Sequence, residues 1–421
     1  MKKKTFVVIV LVLAITIAAL YMETIISGKK FFDNSAENTE DKVEVLNFIH
    51  WMSFPKGLLN NFTKQYPNIH IEFEQVNINL YHEFQRVRLS SGENIDLMGV
   101  LDGDYKPYIQ NGYLKELTGK GFLHNYTPDS LKELENVTGQ DGIYCVPYKS
   151  WVTGVWYNKM LFSKYKIPIP QDIDSFIKIC EEFKNNGVTP LIMGFRDDNM
   201  SSILYNLSIL NAGGEELQWS KRLASKEVSW ANEKMLASSK YIDDIINKGY
   251  LDEEAINLTN QQGFFEFLRG RAAMCISGDW SVELCEQNSD KFIELGVFAL
   301  PYNNIGSKQR VPGYKASYLT GIYSGSRHIE DCEKFISYIS EPYVANLYSS
   351  ETGTHTNVSA SDNMGKYDAL WQELRSKELV TPISVYLESS NNTRLNKSVK
   401  DSIVNKKSIL RTFVQLQDLL K

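Results

Sequence analysis

Six short apolar runs in this 421-residue chain each end in residues able to hold a ligand. VLNFI is followed by His50 and Trp51, and DLMGVL by Asp102. IYCVP leads to Tyr148 and Trp151, and LIMGF to Asp198 and Asn199. AAMCIS runs through Gly278 into Asp279 and Trp280, and Val311-Pro312 is followed by Gly313 and Tyr314. In open α/β sheets ligands bind beyond the carboxyl ends of the strands, so these positions form the candidate site. Aromatic rings and carboxylates recur there, whereas cationic side chains (Lys149, Arg196, Lys315) are few. A phosphate or carboxylate ligand needs convergent Arg, Lys or helix N-termini. A pyranose needs rings against its C–H faces and Asp, Asn or His for its hydroxyls. The residue types point to a carbohydrate.

Each candidate has a plainer reading. Trp280 fits a lobe core, although Gly278-Asp279 before it reads as a loop. Asp102 also suits a helix N-cap, and His50 and Tyr314 would look the same if they only packed. Other chemistry finds little support. There is no GxxxxGK[ST] phosphate loop and no GxSxG elbow, and His82-Glu83 begins an HExxH that Arg86 breaks. Two carboxylates facing one cleft can make a glycosidase, a question of their separation in space. The expectation is no enzyme activity, no cofactor and no metal.

Alternating short strands and helices must position these residues. Residues 43–49 form a strand. A helix follows Pro55 with Leu58, Leu59, Phe62 and Tyr66 on one face. Residues 69–73 and 95–101 read as further strands, with a helix over 80–91 closed at Gly92. Residues 143–146 and 153–157 read as two strands separated at Pro147 and an aromatic bend. Beyond them, 174–184, 234–248, 261–268 and 331–339 have helical spacing. Residues 191–195, 272–276, 296–300 and 316–323 have strand character, and 211–214 reads as a loop. The rhythm implies an α/β fold with mostly parallel sheets flanked by helices.

The block from Ile143 to Phe176 resembles the centre of family 1 extracellular solute-binding proteins, the maltose-binding-protein type of sugar receptor of ABC importers. Pro147-Tyr148, Tyr157-Asn158-Lys159 and Phe162 carry that resemblance. Tyr66-Pro67-Asn68-Ile69, Ser91-Gly92 with Ile95-Asp96-Leu97, and Gly112 to Thr118 fit further blocks in order. So does Phe267 to Met274 with Gly278-Asp279-Trp280. Ile95 stands where the family usually has proline. The resemblance implies a two-lobed periplasmic-binding-protein fold, type II-like. Lobe 1 would be 43–146 plus 309–350, and lobe 2 147–308 plus 351–421. It implies hinge closure over an oligosaccharide, docking on an ABC permease, and a sugar cleft lined at Asp102, Trp151 and Trp280.

Lys2-Lys3-Lys4 before the apolar run of residues 6–20 reads as an export signal or anchor over 1–32. Polar residues 33–42 read as a linker. That places the folded part on the extracellular face of the cytoplasmic membrane, tethered or secreted. No cysteine precedes Cys145, so the lipid anchor usual in relatives from bacteria without an outer membrane is absent. This leaves a second reading, a tethered sugar sensor for a histidine kinase. A net charge of −6 with no basic block after Lys4 argues against nucleic acid as the main partner, and the expected state is a monomer. Five cysteines without a CxxC pair suit core positions at Cys180 and Cys275; a Cys275–Cys285 bond stays open.

Overall fold

The computed structural model describes residues 43–92, 94–139, 141–288, 293–300, 310–359 and 365–419. The expected membrane segment (1–32) and the expected linker (33–42) lie outside them. Among the described residues no helix is long and apolar enough to cross a membrane.

Among the described residues nine strands build the frame: β1 Glu44–His50, β2 Ile69–Gln75, β3 Leu97–Val100, β4 Cys145–Asn158, β5 Leu191–Ile192, β6 Met274–Gly278, β7 Leu295–Phe298, β8 Arg310–Ile322 and β9 Glu378–Val380. They run in the order β2-β1-β3-β8-β4-β6-β5, with β7 on β4 and β9 on β8. The sheets are mixed rather than mostly parallel. β2, β1 and β3 are parallel neighbours, but β8 is antiparallel to β3 and to β4, and β4 is antiparallel to β6 and β7. The departure comes from two long strands that serve both halves of the molecule.

Apolar packing shows those halves directly. One core takes Leu46 to Tyr148 and Tyr314 to Tyr348, joined by Val358 and Val385. A second takes Val155 to Leu300 and Val380 to Phe413, and a third lies against it around Val152, Trp156, Phe264, Val311 and Trp371. The chain therefore leaves the first core between Tyr148 and Val152 of β4 and returns to it between Val311 and Tyr314 of β8. Both crossings fall within one antiparallel ribbon. The pairing Lys149↔Ser317 gives way to Trp151↔Tyr314, so β8 carries one extra residue there. Such a bulge bends a ribbon and re-aims its side chains.

Pro147 does not split β4, contrary to the sequence reading. In the first half β4 is an edge strand paired only with β8. The Pro147 carbonyl accepts from Asn357 Nδ2 (2.9 Å) on the open side, where the missing N–H would also have pointed, so no ladder bond is lost. The expected strand at 191–195 shortens to Leu191–Ile192, and the expected loop at 211–214 is mostly the end of a helix, Ser201–Gly213. That helix is buried on nearly all sides, which leaves no polar face to reveal its period. Ile173–Asn185 is more legible: Asp172 and Ser175 form a capping box, and Phe176, Cys180 and Phe183 line the buried face. All five cysteines are free and buried, Cys275 and Cys285 included.

Candidate functional site

Between the two cores, beside the bent ribbon, lies a cleft of about 630 Å³, within the usual span for ligand pockets. Its first wall is aromatic. Trp51, at the end of β1, has its ring centroid 5.0 Å from that of Tyr81 and 6.2 Å from that of Tyr318. Tyr318 sits in β8 at φ +51°, a conformation bulky residues rarely adopt, next to the bulge. Strain of this kind persists only where surrounding structure enforces it. The cleft is where its ring comes to lie.

Asp102 follows β3, as the sequence reading placed it. Its carboxylate accepts from Ser317 Oγ at 2.8 and 3.0 Å and from Trp151 Nε1 at 3.3 Å. Burial raises its pKa to about 7; the Ser317 and Trp151 hydrogen bonds oppose that rise without cancelling it. Near neutral pH it is therefore poised between donor and acceptor. Trp151 in turn meets Trp280 at 6.1 Å between ring centroids, edge to face.

Trp280 is held from behind. A Cβ on Gly278 would stand 2.1 Å from the Trp280 ring, so only glycine lets the indole fold back over the end of β6. Asp279 is turned away from the cavity and bound by Arg375 through Nε (3.1 Å) and Nη2 (2.9 Å). Arg375 Nη1 also donates to the fully buried Asp368 at 2.7 Å. Burial alone would raise the Asp368 carboxyl, but His355 and Arg375 outweigh it and hold it below its ordinary range. His355 Nε2 lies 3.0 Å from Ser150 Oγ on the ribbon. Ser150, His355 and Asp368 have the types of a nucleophilic triad. Yet His355 Nδ1 is 3.9 Å from Asp368 Oδ1, and Arg375 already engages that oxygen. The chain of contacts instead ties the Trp280 turn to the ribbon.

A second part of the lining carries carboxamides: Asn199 and Asn206 before and within Ser201–Gly213, Asn260 from the helix Asn260–Leu268, and Asn392 and Asn396 from the helix Ser389–Val404. Lys149 also lines the cleft. Its Nζ donates to Thr354 Oγ1 (2.9 Å) and lies 4.9 Å from the Tyr318 ring centroid. Burial lowers its pKa, partly offset by Asp279 and Glu283. Near the cleft edge, Asn79 Nδ2 from the first half donates to Asp197 Oδ1 of the second at 2.9 Å.

The sequence profile of the bacterial extracellular solute-binding proteins matches residues 38–344. The chain belongs to this family. A multiple sugar-binding protein of Streptococcus mutans is 23% identical over 337 residues, covering 77% of each chain. Two solved structures share the fold at low identity. One, from work on xylan utilization by the thermophile Caldanaerobius polysaccharolyticus, has a TM-score of 0.80 at 17% identity, over 90% of this chain and all of that one. The solute-binding protein RafE, in complex with raffinose, has a TM-score of 0.77 at 16% identity with the same coverage. A two-lobed α/β solute-binding fold is thus established.

In this solute-binding protein five of the expected residues line the cleft: Trp51, Asp102, Trp151, Asn199 and Trp280. Six do not. His50 is fully buried under Trp51, its Nδ1 accepting from the Met52 N–H (2.8 Å), and burial lowers its pKa to about 3. Tyr148 packs between Phe54 and Tyr348, and Tyr314 is core. Asp198 is paired with Lys400 (2.5 Å), Asp279 with Arg375, and Gly313 is spent on the ribbon, where a Cβ would strike the Trp151 carbonyl at 2.7 Å. The sequence reading missed Ser317 and Tyr318, on a strand with no visible break, and the asparagines carried by helices. For the latter one signal existed: Asn392 and Asn396 stand four apart, on one helical face.

Proposed function

We propose that this receptor captures a neutral carbohydrate, an oligosaccharide, between its lobes and presents it to the permease of an ABC importer. The observation that carries the reading is the Trp151–Trp280 pair with Asp102 bonded to one of its indoles, beside Trp51 and Tyr318. Rings supply stacking area for sugar C–H faces, and the carboxylate supplies a hydroxyl acceptor. Its charged lining residues, Asp102, Lys149 and Glu283, nearly balance, which favours an uncharged ligand. Closure turns on the β4–β8 ribbon, with the first lobe ending near Pro147 and resuming near residue 309. Residues 1–32 hold the receptor, a monomer, at the extracellular face of the membrane.

Thermal unfolding of the purified chain with raffinose and xylo-oligosaccharides, against phosphate, amino acids and polyamines, tests this. A ligand bound only by the native state raises the melting temperature. One neutral sugar class is expected to do so, and Trp280→Ala to remove the shift at the cost of about 2–4 kcal/mol of binding energy, the range of an aromatic anchor. A shift confined to a charged control overturns the carbohydrate reading.

A further inference from the structure

Three polar atoms in the cleft lining stand out. Asn199 Oδ1, Asn206 Oδ1 and Asn396 Oδ1 are sealed from solvent and have no hydrogen-bond partner. Asn206 is 5% exposed and Asn396 6%. Unpartnered buried atoms also occur away from the cleft, Trp156 Nε1 and Ser220 Oγ among them, but these three are acceptors of one type grouped in the lining of one cavity, and the grouping needs a cause. Their neighbour Asn392 shows the usual outcome, since its Oδ1 accepts from Tyr205 O–H at 3.0 Å. Packing does not require asparagine at these places: apart from Ser201 and Ser208 the other buried residues of Ser201–Gly213 are apolar or aromatic, and Tyr205 and Leu207 flank Asn206 within it.

We propose that Asn199, Asn206 and Asn396 form a second sugar subsite, separate from the tryptophan pair, that binds a neutral ring through its hydroxyls and so selects an uncharged ligand of at least two rings. The proposal rests on the carbohydrate reading of the cleft and adds which residues hold the second ring. A carboxamide suits this task. A half-turn of its head exchanges the atom facing the cavity, so it gives or takes a hydrogen bond as a hydroxyl does, and it carries no charge. A uronate or sugar phosphate would instead leave an anion against amides, with Asp102 and Glu283 in the same cavity and Lys149 already engaged by Thr354. Tyr205, the one aromatic between Asn199 and Asn206, is buried and donates to Asn392 rather than lining the cleft, so these asparagines recognise the ring edge and the tryptophans its face.

The test is calorimetric titration of the full-length chain, wild type and an Asn206→Leu/Asn396→Leu double variant. The probes are xylose, xylobiose, xylotriose, raffinose and a uronic-acid-bearing trisaccharide. The wild type is expected to bind the neutral trisaccharides, to favour three rings over one by about tenfold or more, and to bind the uronate weakest. The double variant should lose at least about tenfold on the best trisaccharide while changing the single ring little. Its melting temperature without sugar should stay level or rise, because unpartnered acceptors have been removed. A structural role would lower it.

Each outcome decides. If affinity for every length falls together, or the double variant matches wild type while Trp280→Ala abolishes binding, the subsite is wrong and the carbohydrate reading stands. If the sugar-free double variant melts lower, the asparagines are structural. If no neutral sugar binds at all, both readings fall.

Discussion

The two walls of the cleft are built in opposite ways. Around the tryptophans the charged groups are already spoken for: Asp102 is bonded by Ser317 and Trp151, Lys149 by Thr354, and Trp280 is set by Gly278 and by the Arg375 pairing below it. The carboxamide wall keeps three acceptors without partners. The first is a finished platform whose shape does not depend on a ligand. The second is completed by one. Preorganisation on one side lowers the ordering cost of binding, and unsatisfied groups on the other convert ligand hydroxyls into selectivity.

Removing the platform's support should give the largest effect. Arg375→Ala leaves Asp279 and Asp368 buried without their cation, and breaking a buried pair costs about 3–5 kcal/mol. A fall in unfolding free energy of that size, read from the denaturant midpoint at unchanged slope, is expected. Arg375→Lys should restore part of it, since a point charge cannot serve both carboxylates as the planar fork does.

Next in size is the titration of Asp102. Its folded pKa, about 7, lies above the ordinary carboxylate value. This group therefore stabilises the sugar-free fold fully below about pH 4 and ceases to as pH rises through about 7. A sugar hydroxyl donating to the carboxylate prefers the ionised form. Affinity should thus rise between pH 5 and 8, and binding near pH 6 should release a proton. Titrations in buffers of different ionisation heat will detect that release, and Asp102→Asn should remove both trends.

The smallest effect belongs to Asn79→Ala, which deletes the exposed hydrogen bond to Asp197 between the lobes. Closure should weaken by about 0.5–1.5 kcal/mol, read as faster sugar dissociation with the association rate little changed. An unchanged dissociation rate would show that this contact does not latch the cleft.

What the sequence disclosed follows the same division. Strand ends with local punctuation, Asp102 after β3 and Trp280 behind the turn at Gly278-Asp279, were legible because turn chemistry is written in adjacent residues, although Asp279 itself turns to Arg375. Trp151 came with them as part of a local block. His50, Tyr148 and Tyr314 were misplaced because strand residues alternate between faces, and which face meets the cavity is a tertiary matter. Pro147 misled for a related reason: whether a proline breaks a strand depends on which side lacks a neighbour. Asn206 was hidden because its helix is apolar all round, and no periodicity marks which side of it meets the cleft.

Intrinsic fluorescence offers the most direct test of the central claim. Of the seven tryptophans, Trp51, Trp151 and Trp280 line the cleft, while Trp156, Trp219, Trp230 and Trp371 are buried in the lobes. Titrating the full-length chain with raffinose and xylotriose should produce a saturable change in emission that Trp280→Phe reduces and that phosphate, amino acids and polyamines do not reproduce. A saturable response to a charged control alone, with none to any neutral oligosaccharide, would contradict the account.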